Sequence, residues 1–337
     1  VLAAEGIQKE DLVLAWDFVT ASDEFLTADL LSMREQSLCA MGENGSNLTF
    51  DASERSTSSC QVFRFITGTY DAPNFLSNGE KVNSTFIRDG NDKPAMSGFY
   101  EANFAAFIPA CAETAETPLP VTVFGHGLFG DGEGALENGF LQRIANEECR
   151  IFIAGDFIGL TGRNFNGAVL AANNGNLFYG ISEKLAQSVI NFIALEQILR
   201  GPFKNSPLFQ IDGQALIDPE DVTYFGASLG GIMGNVFMAY DQNIIRGVLG
   251  VPGGAWSLLI ERSFAWTALQ GAIFGAYENQ YIYQMQIAFL GMAMEPYDPI
   301  TTAAGVTGER ADPLPNTPAK QIMMYEIIYH AATKTFL

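Results

Sequence analysis

One stretch constrains this chain more than any other: VTYFGASLGGIMG, residues 222–234, in which a buried β-type run meets Gly226-Ala227-Ser228-Leu229-Gly230 and then a glycine-rich helix start. A strand that turns sharply into a helix at Ser228 needs small residues at Gly226 and Gly230 so that the backbone can close up. The turn holds the Ser228 hydroxyl at the strand's C-terminal end. The helix beginning there places backbone N–H groups and the positive end of its dipole beside the reacting atom, which favours an oxyanion.

The rest of the chain supplies a setting for that turn. Apolar runs alternate with helical stretches, as in an α/β chain with a sheet flanked by helices. Runs 61–68 and 99–109 alternate in period two and read as half-solvated edge strands. Runs 120–127, 150–156, 221–228 and 244–254 are near-continuous and read as buried strands of a mostly parallel centre. KQIMMYEII, residues 320–328, reads as a seventh strand, and an eighth is not visible after it. SEKLAQSVINFIALEQILRG (182–201) reads as an amphipathic, sheet-covering helix ended by Gly201 and Pro202. The aromatic- and Met-rich stretch 256–294 reads as helical, its apolar faces serving either as core or, over about 255–296, as a lid above an apolar cleft.

The first 60 residues fit the pattern least and read as a β-rich N-terminal extension (1–60) to a main domain (61–337). Within it, LVLAWDF (12–18) suggests a strand, Ser22 to Arg34 a helix capped by Ser22, and Glu43 to Ser59 a polar loop. DGNDKP (89–94) reads as a turn cluster, since its carboxylates lack the further ligands of a calcium loop.

Charge and cysteines narrow the function classes. Lys and Arg number 18 against 38 Asp and Glu, a net charge of −20, which repels phosphate backbones and anionic headgroups. Nucleic acid is therefore not an expected partner. No apolar run approaches the ~20 residues of a membrane span, while 48% hydrophobic residues are ample for a core. The chain opens at Val1 without an initiator Met or a basic, apolar leader, which reads as a processed or cut product. Cys39, Cys60, Cys111 and Cys149 show no C-x-x-C spacing, so a metal site is not expected. The favoured pairing is Cys39 with Cys60 and Cys111 with Cys149, implying an oxidising compartment; four buried free thiols remain the alternative.

A second chemical feature is VTVFGHGLFGDGEG, residues 121–134, where a core strand ends in Gly125-His126-Gly127-Leu128. Acyl transfer needs a second N–H aimed at the oxyanion, and a loop in this position supplies it. The donors are assigned to the N–H groups of Leu128 and Leu229. His126 reads as a brace for the loop, because a metal site would need ligands that one other histidine does not provide.

With these motifs the chain resembles the α/β-hydrolases, and within them secreted bacterial lipases and esterases with an HGL loop and a G-x-S-x-G-G turn. ITGTYDAP, GHGLFG, AGDFIGL and FGASLGG carry the resemblance, which runs from about Gln61 to Ile328. It implies a nucleophilic Ser228, an acid after the seventh strand and a histidine after the eighth. His330 is the only candidate base after the serine, and its acid would be Asp298 or Asp312. That assignment makes 320–328 the eighth strand and requires a seventh within 256–296, which reads as helical. The expectation is instead a chain that stops short of part of its triad.

The expected function is a serine esterase or lipase that hydrolyses carboxylic esters through an acyl-enzyme on Ser228. It needs no metal or organic cofactor, takes a small-molecule or lipid ester, and is secreted, cell-surface or periplasmic in a bacterium. Polyester depolymerase, thioesterase and acyltransferase use the same elements. The alternative from another class is a non-catalytic hydrolase-fold protein that binds an apolar ligand or a partner, Ser228 being a relic.

Overall fold

The computed structural model describes residues 6–8, 12–13, 20–263, 277, 279–308, 314–326, 329–330 and 335–336. Its centre is an eight-stranded mixed sheet built from β1 (Phe50–Arg55), β2 (Val62–Pro73), β3 (Phe99–Pro109), β4 (Leu119–Gly125), β5 (Ile151–Gly155), β6 (Ile217–Ala227), β7 (Arg246–Gly250) and β8 (Gln321–Tyr325). The spatial order is β1-β2-β3-β5-β4-β6-β7-β8. Pairing is antiparallel from β1 to β5 and parallel from β5 through β4, β6 and β7 to β8. The fold is α/β with a mostly parallel sheet, as the alternation of runs implies.

Nine helices among the described residues matter here: α1 (Asp23–Met41), α2 (Gly132–Leu136), α3 (Gly139–Glu147), α4 (Phe165–Ala172), α5 (Phe178–Ile198), α6 (Leu229–Tyr240), α7 (Trp256–Arg262), α8 (Gln280–Met294) and α9 (Pro299–Thr307). α5 and α6 cover one face of the sheet with α1 packed outside them, and α2 and α3 cover the other at β3 and β5. Two apolar layers result, a large one around Ile190, Phe192, Val236 and Phe237 and a smaller one around Phe107, Phe124, Leu141 and Phe152.

The seven strands expected between residues 61 and 328 form. The eighth, β1, lies where a polar loop was expected; its sequence FDASER leaves every side chain half-buried or exposed. An edge strand takes its stability from one neighbour's backbone, so its side chains carry little apolar signal. α1 begins as expected, Ser22 Oγ accepting the N–H of Phe25 at 3.1 Å, but continues to Met41. It buries Leu30, Met33 and Met41 in the main core, so residues 23–55 add a helix and a strand to the same body as the rest. LVLAWDF lies, beyond Leu12 and Val13, outside the described residues.

α5 departs from the amphipathic expectation, because every residue except Tyr179 and Ile181 is buried. Residues 73–88 fold over its polar side, and that side hydrogen-bonds their backbone. Gln187 accepts the N–H of Phe75 at 2.9 Å and donates to Pro73 O at 2.8 Å, while Glu183 accepts the N–H of Phe86 at 2.6 Å. A buried helix can carry polar residues when each finds such a partner.

A disulfide joins Cys111, in the turn after β3, to Cys149, in the turn between α3 and β5, with Cα atoms 5.8 Å apart. The expected Cys39–Cys60 pair does not form; both thiols are free and exposed. Cys39 is fixed on α1 and Cys60 in the turn entering β2, and proximity in sequence does not bring two such elements into disulfide geometry. The DGNDKP segment is a turn, Asp89 Oδ1 accepting the N–H groups of Asn91 and Lys93 at 2.8 and 3.0 Å. Among the described residues no helix is long and apolar enough to cross a membrane.

Candidate active site

β4 and β6 are adjacent parallel strands in the middle of the sheet, with Gly125 level with Gly226. Their C-terminal loops therefore emerge side by side, and both chemical motifs lie on those loops. Ser228 follows β6 directly, with φ 57° and ψ −120°, and is exposed. A non-glycine residue at positive φ costs of order 1–3 kcal/mol and persists only where the surroundings fix it. Here they do: Ser228 N donates to Gly250 O at the end of β7, and Ser228 O accepts the N–H of Ile232 in the first turn of α6, each at 2.9 Å.

The two flanking glycines are needed for close approach. A Cβ on Gly226 would overlap Gly230 O, and one on Gly230 would overlap Gly125 O. The turn is thus wedged against both neighbouring backbones. Tyr224, a residue that the sequence reading passed over, locks it further, its buried hydroxyl donating to Gly230 O at 2.6 Å. Burial pushes that phenol well above its ordinary range, keeping it a protonated donor.

The β4 loop lies against the serine: a Cβ on Gly127 would sit 3.8 Å from Ser228 Cβ. Its shape is set from the loop after β5. Phe129 N donates to Leu160 O at 2.9 Å, Gly132 N to Asp156 Oδ1 at 2.8 Å, and Phe157 N to His126 Nε2 at 2.9 Å. His126 Nδ1 bonds Gly127 O at 2.7 Å. The neutral tautomer with its proton on Nδ1 satisfies both contacts, and burial pushes the imidazole below its ordinary pKa. His126 is a brace and leaves no nitrogen for the serine.

Asp156 gives the brace its anchor. Its Oδ2 accepts Arg163 Nη1 at 2.6 Å, and Arg163 is clamped by Glu80 at 2.7 and 2.9 Å. The signal was available in AGDFIGL, where an acidic residue ends an otherwise apolar strand. Among the described residues, the N–H groups of Leu128 and Leu229 have no hydrogen-bond partner. Two unengaged donors on adjacent loops beside an exposed hydroxyl are what an oxyanion requires.

Of the two candidate acids for His330, only Asp298 lies among the described residues. Asp298 is 3% exposed and caps α9, accepting the N–H groups of Ala255, Trp256 and Ile300 at 2.8, 2.7 and 2.9 Å. Its carboxylate is committed to two helix starts and is not free to orient an imidazole. Asp312 lies outside the described residues. The register needed for that option also fails, since β8 pairs directly with β7 and the described parts of 256–296 are mainly helical. The backbone of His330 belongs to a two-residue strand, Tyr329–His330, paired with Thr335–Phe336 and separate from the main sheet. No described residue hydrogen-bonds Ser228 Oγ.

Beside the β4 loop is a cavity of about 120 Å³ between α4, α5, α7 and α8. Leu128 and Phe129 of the β4 loop line it, as do Trp256 of α7 and Ile287 and Leu290 of α8, and among the described residues Gln286 is the one lining side chain with a polar head group besides the aromatic Trp and Tyr. Among the described residues no group of three or more His, Cys, Asp or Glu is placed to hold a metal ion.

No family model and no curated protein matches this sequence. Among solved structures, it is similar to an acetyl xylan esterase from Paenibacillus sp. at 12% identity and TM-score 0.48, covering 94% of this chain and 91% of that one. An acetyl xylan esterase from Thermoanaerobacterium sp. matches at 12% identity and TM-score 0.42, over 88% and 86% of the two chains. An S-formylglutathione hydrolase from Agrobacterium tumefaciens matches at 13% and 0.39, over 81% and 90%. At these levels the similarities assign no residue and no substrate, and the site must be read from its own geometry.

Proposed function

We propose that this chain is a serine ester hydrolase of the α/β-hydrolase type. The observation that carries the reading is Ser228 itself: an exposed hydroxyl at positive φ on a turn wedged between a central strand and a helix start, with Gly127 of the neighbouring loop against it. A module that only binds has no need of a strained serine.

In the proposed reaction, Ser228 Oγ gives its proton to a base and attacks the ester carbonyl. The N–H groups of Leu128 and Leu229 hold the tetrahedral oxyanion. Collapse expels the alcohol, which takes up the proton, and water then cleaves the acyl-enzyme to release the acid and restore the serine. His126 is fully engaged and does not supply this base. The apolar cavity favours an acyl group over a sugar or peptide. The Cys111–Cys149 disulfide supports a secreted, cell-surface or periplasmic setting.

The second reading, a hydrolase-fold binding protein with a relic serine, is favoured by the lack of any described partner for Ser228 Oγ. Hydrolysis of p-nitrophenyl butyrate separates the two. The catalytic reading expects turnover that falls at least ~100-fold in Ser228→Ala; equal turnover in that variant would remove it.

A further inference from the structure

We propose that the cleft between α8 and the connection from α4 to α5 binds a neutral, polyhydroxylated ligand, a carbohydrate. The site is distinct from the ester chemistry and does not depend on it. The cleft measures about 570 Å³, within the range of small-ligand sites. Asn173, Asn174 and Gly175 line it from the connection, Tyr179 from the first turn of α5, and Gln286 and Phe289 from α8.

Three observations define the ligand. First, the chain carries 18 basic and 38 acidic residues, yet none of the described residues lining this cleft is charged, so nothing in it compensates a bound ion. Secondly, the side-chain amides have unused hydrogen-bonding capacity of both kinds. Asn173 Nδ2 donates to Val169 O at 3.0 Å, which fixes which end of that amide is the oxygen. Asn173 Oδ1 and Gln286 Oε1 are both buried with no partner among the described residues. Gln286 Oε1 lies so close to the connection that a Cβ on Gly175 would overlap it. Asn174 Oδ1 accepts the N–H of Asn176 at 3.2 Å, and no described residue accepts from its Nδ2. Unmet acceptors call for donors and unmet N–H groups for acceptors; a hydroxyl is both. An amide's adjacent oxygen and NH₂ also match two neighbouring hydroxyls. Thirdly, Tyr179 and Phe289 are 56% and 48% exposed and offer flat apolar rings to the C–H face of a sugar. The described lining comes from helices and their connection, with no strand edge to pair an extended peptide.

The test is titration calorimetry of the whole chain with glucose, mannose, maltohexaose, cellohexaose and mannohexaose, with hexaglycine as the peptide control. At least one saccharide is expected to bind with a Kd of about 1 mM or tighter. A hexasaccharide that binds more tightly than its monosaccharide identifies a sugar chain as the ligand, and equal affinities identify a free sugar. Affinity should be the same at about 50 and 500 mM NaCl, because no ion pair forms. Gln286→Met, which removes the amide at similar length, and Tyr179→Ala, which removes an exposed ring, should each weaken binding about three- to tenfold. The ring of Tyr179 stands at the surface, so its loss tests the site even if Gln286→Met does not fold. Absence of binding by every saccharide at about 10 mM, equal binding of hexaglycine, affinity that falls with salt, or indifference to both substitutions would overturn the proposal.

Discussion

At the residue scale, the site depends on atoms that are missing. Gly230 has no Cβ because Gly125 O occupies its place, so Gly230→Ala should lower unfolding free energy by about 2–4 kcal/mol. Gly90, where a Cβ meets nothing within 4 Å, is the control and should stay within about 0.5 kcal/mol of the parent in urea melts. The tight turn at Ser228, the close approach of its glycines and the hydrogen-bonded position of His126 were legible because each is local to a motif. The engagement of Asp298 was not, since it depends on α7 and α9 meeting across forty residues of chain. His126 also sets a pH dependence. Its folded pKa lies below the free imidazole value, so the unfolded chain takes the proton first, and stability is lost as pH falls below about 6.5. Between the unfolded and folded values His126 contributes a slope of up to about 1.4 kcal/mol per pH unit. A folded His126→Gln variant should lose that contribution when stability is followed from pH 7 to pH 5; an identical slope would mean that His126 does not stay neutral in the fold.

At the scale of elements, strands were legible wherever two neighbours bury them. β4, β5, β6 and β7 show apolar runs because helices or other strands cover them, whereas β1 is an edge with nothing to announce it. α5 shows the converse error, for its polar residues look solvated in sequence and instead satisfy residues 73–88. Crosslinks follow the same logic: Cys111 and Cys149 sit on turns that the β3–β5 pairing brings together, and Cys39 and Cys60 do not. The disulfide spans 38 residues, for which loop closure gives about 3–4 kcal/mol. Cys111→Ser should therefore lower unfolding free energy by roughly that amount, and Cys39→Ser by less than about 0.5 kcal/mol. Equal effects in denaturant titrations would indicate that the crosslink is not the constraint.

At the scale of the whole molecule, the sheet order puts the ends of β4 and β6 side by side, and the helices after β5 and β7 wall a cavity against them. Ser228 with the adjoining Leu229 N–H, the Leu128 N–H and the apolar cavity come from separate parts of the sequence, and the first two are brought side by side by the parallel pairing of β4 with β6. The central claim is that this meeting activates Ser228. Labelling of the folded chain with a fluorophosphonate probe, located by peptide mass spectrometry and compared with Ser228→Ala and His330→Ala, tests it most directly. The account predicts a single adduct at Ser228, absent in the first variant; unchanged labelling in the second would place the base at a residue other than His330. A folded chain that leaves Ser228 unmodified would contradict it.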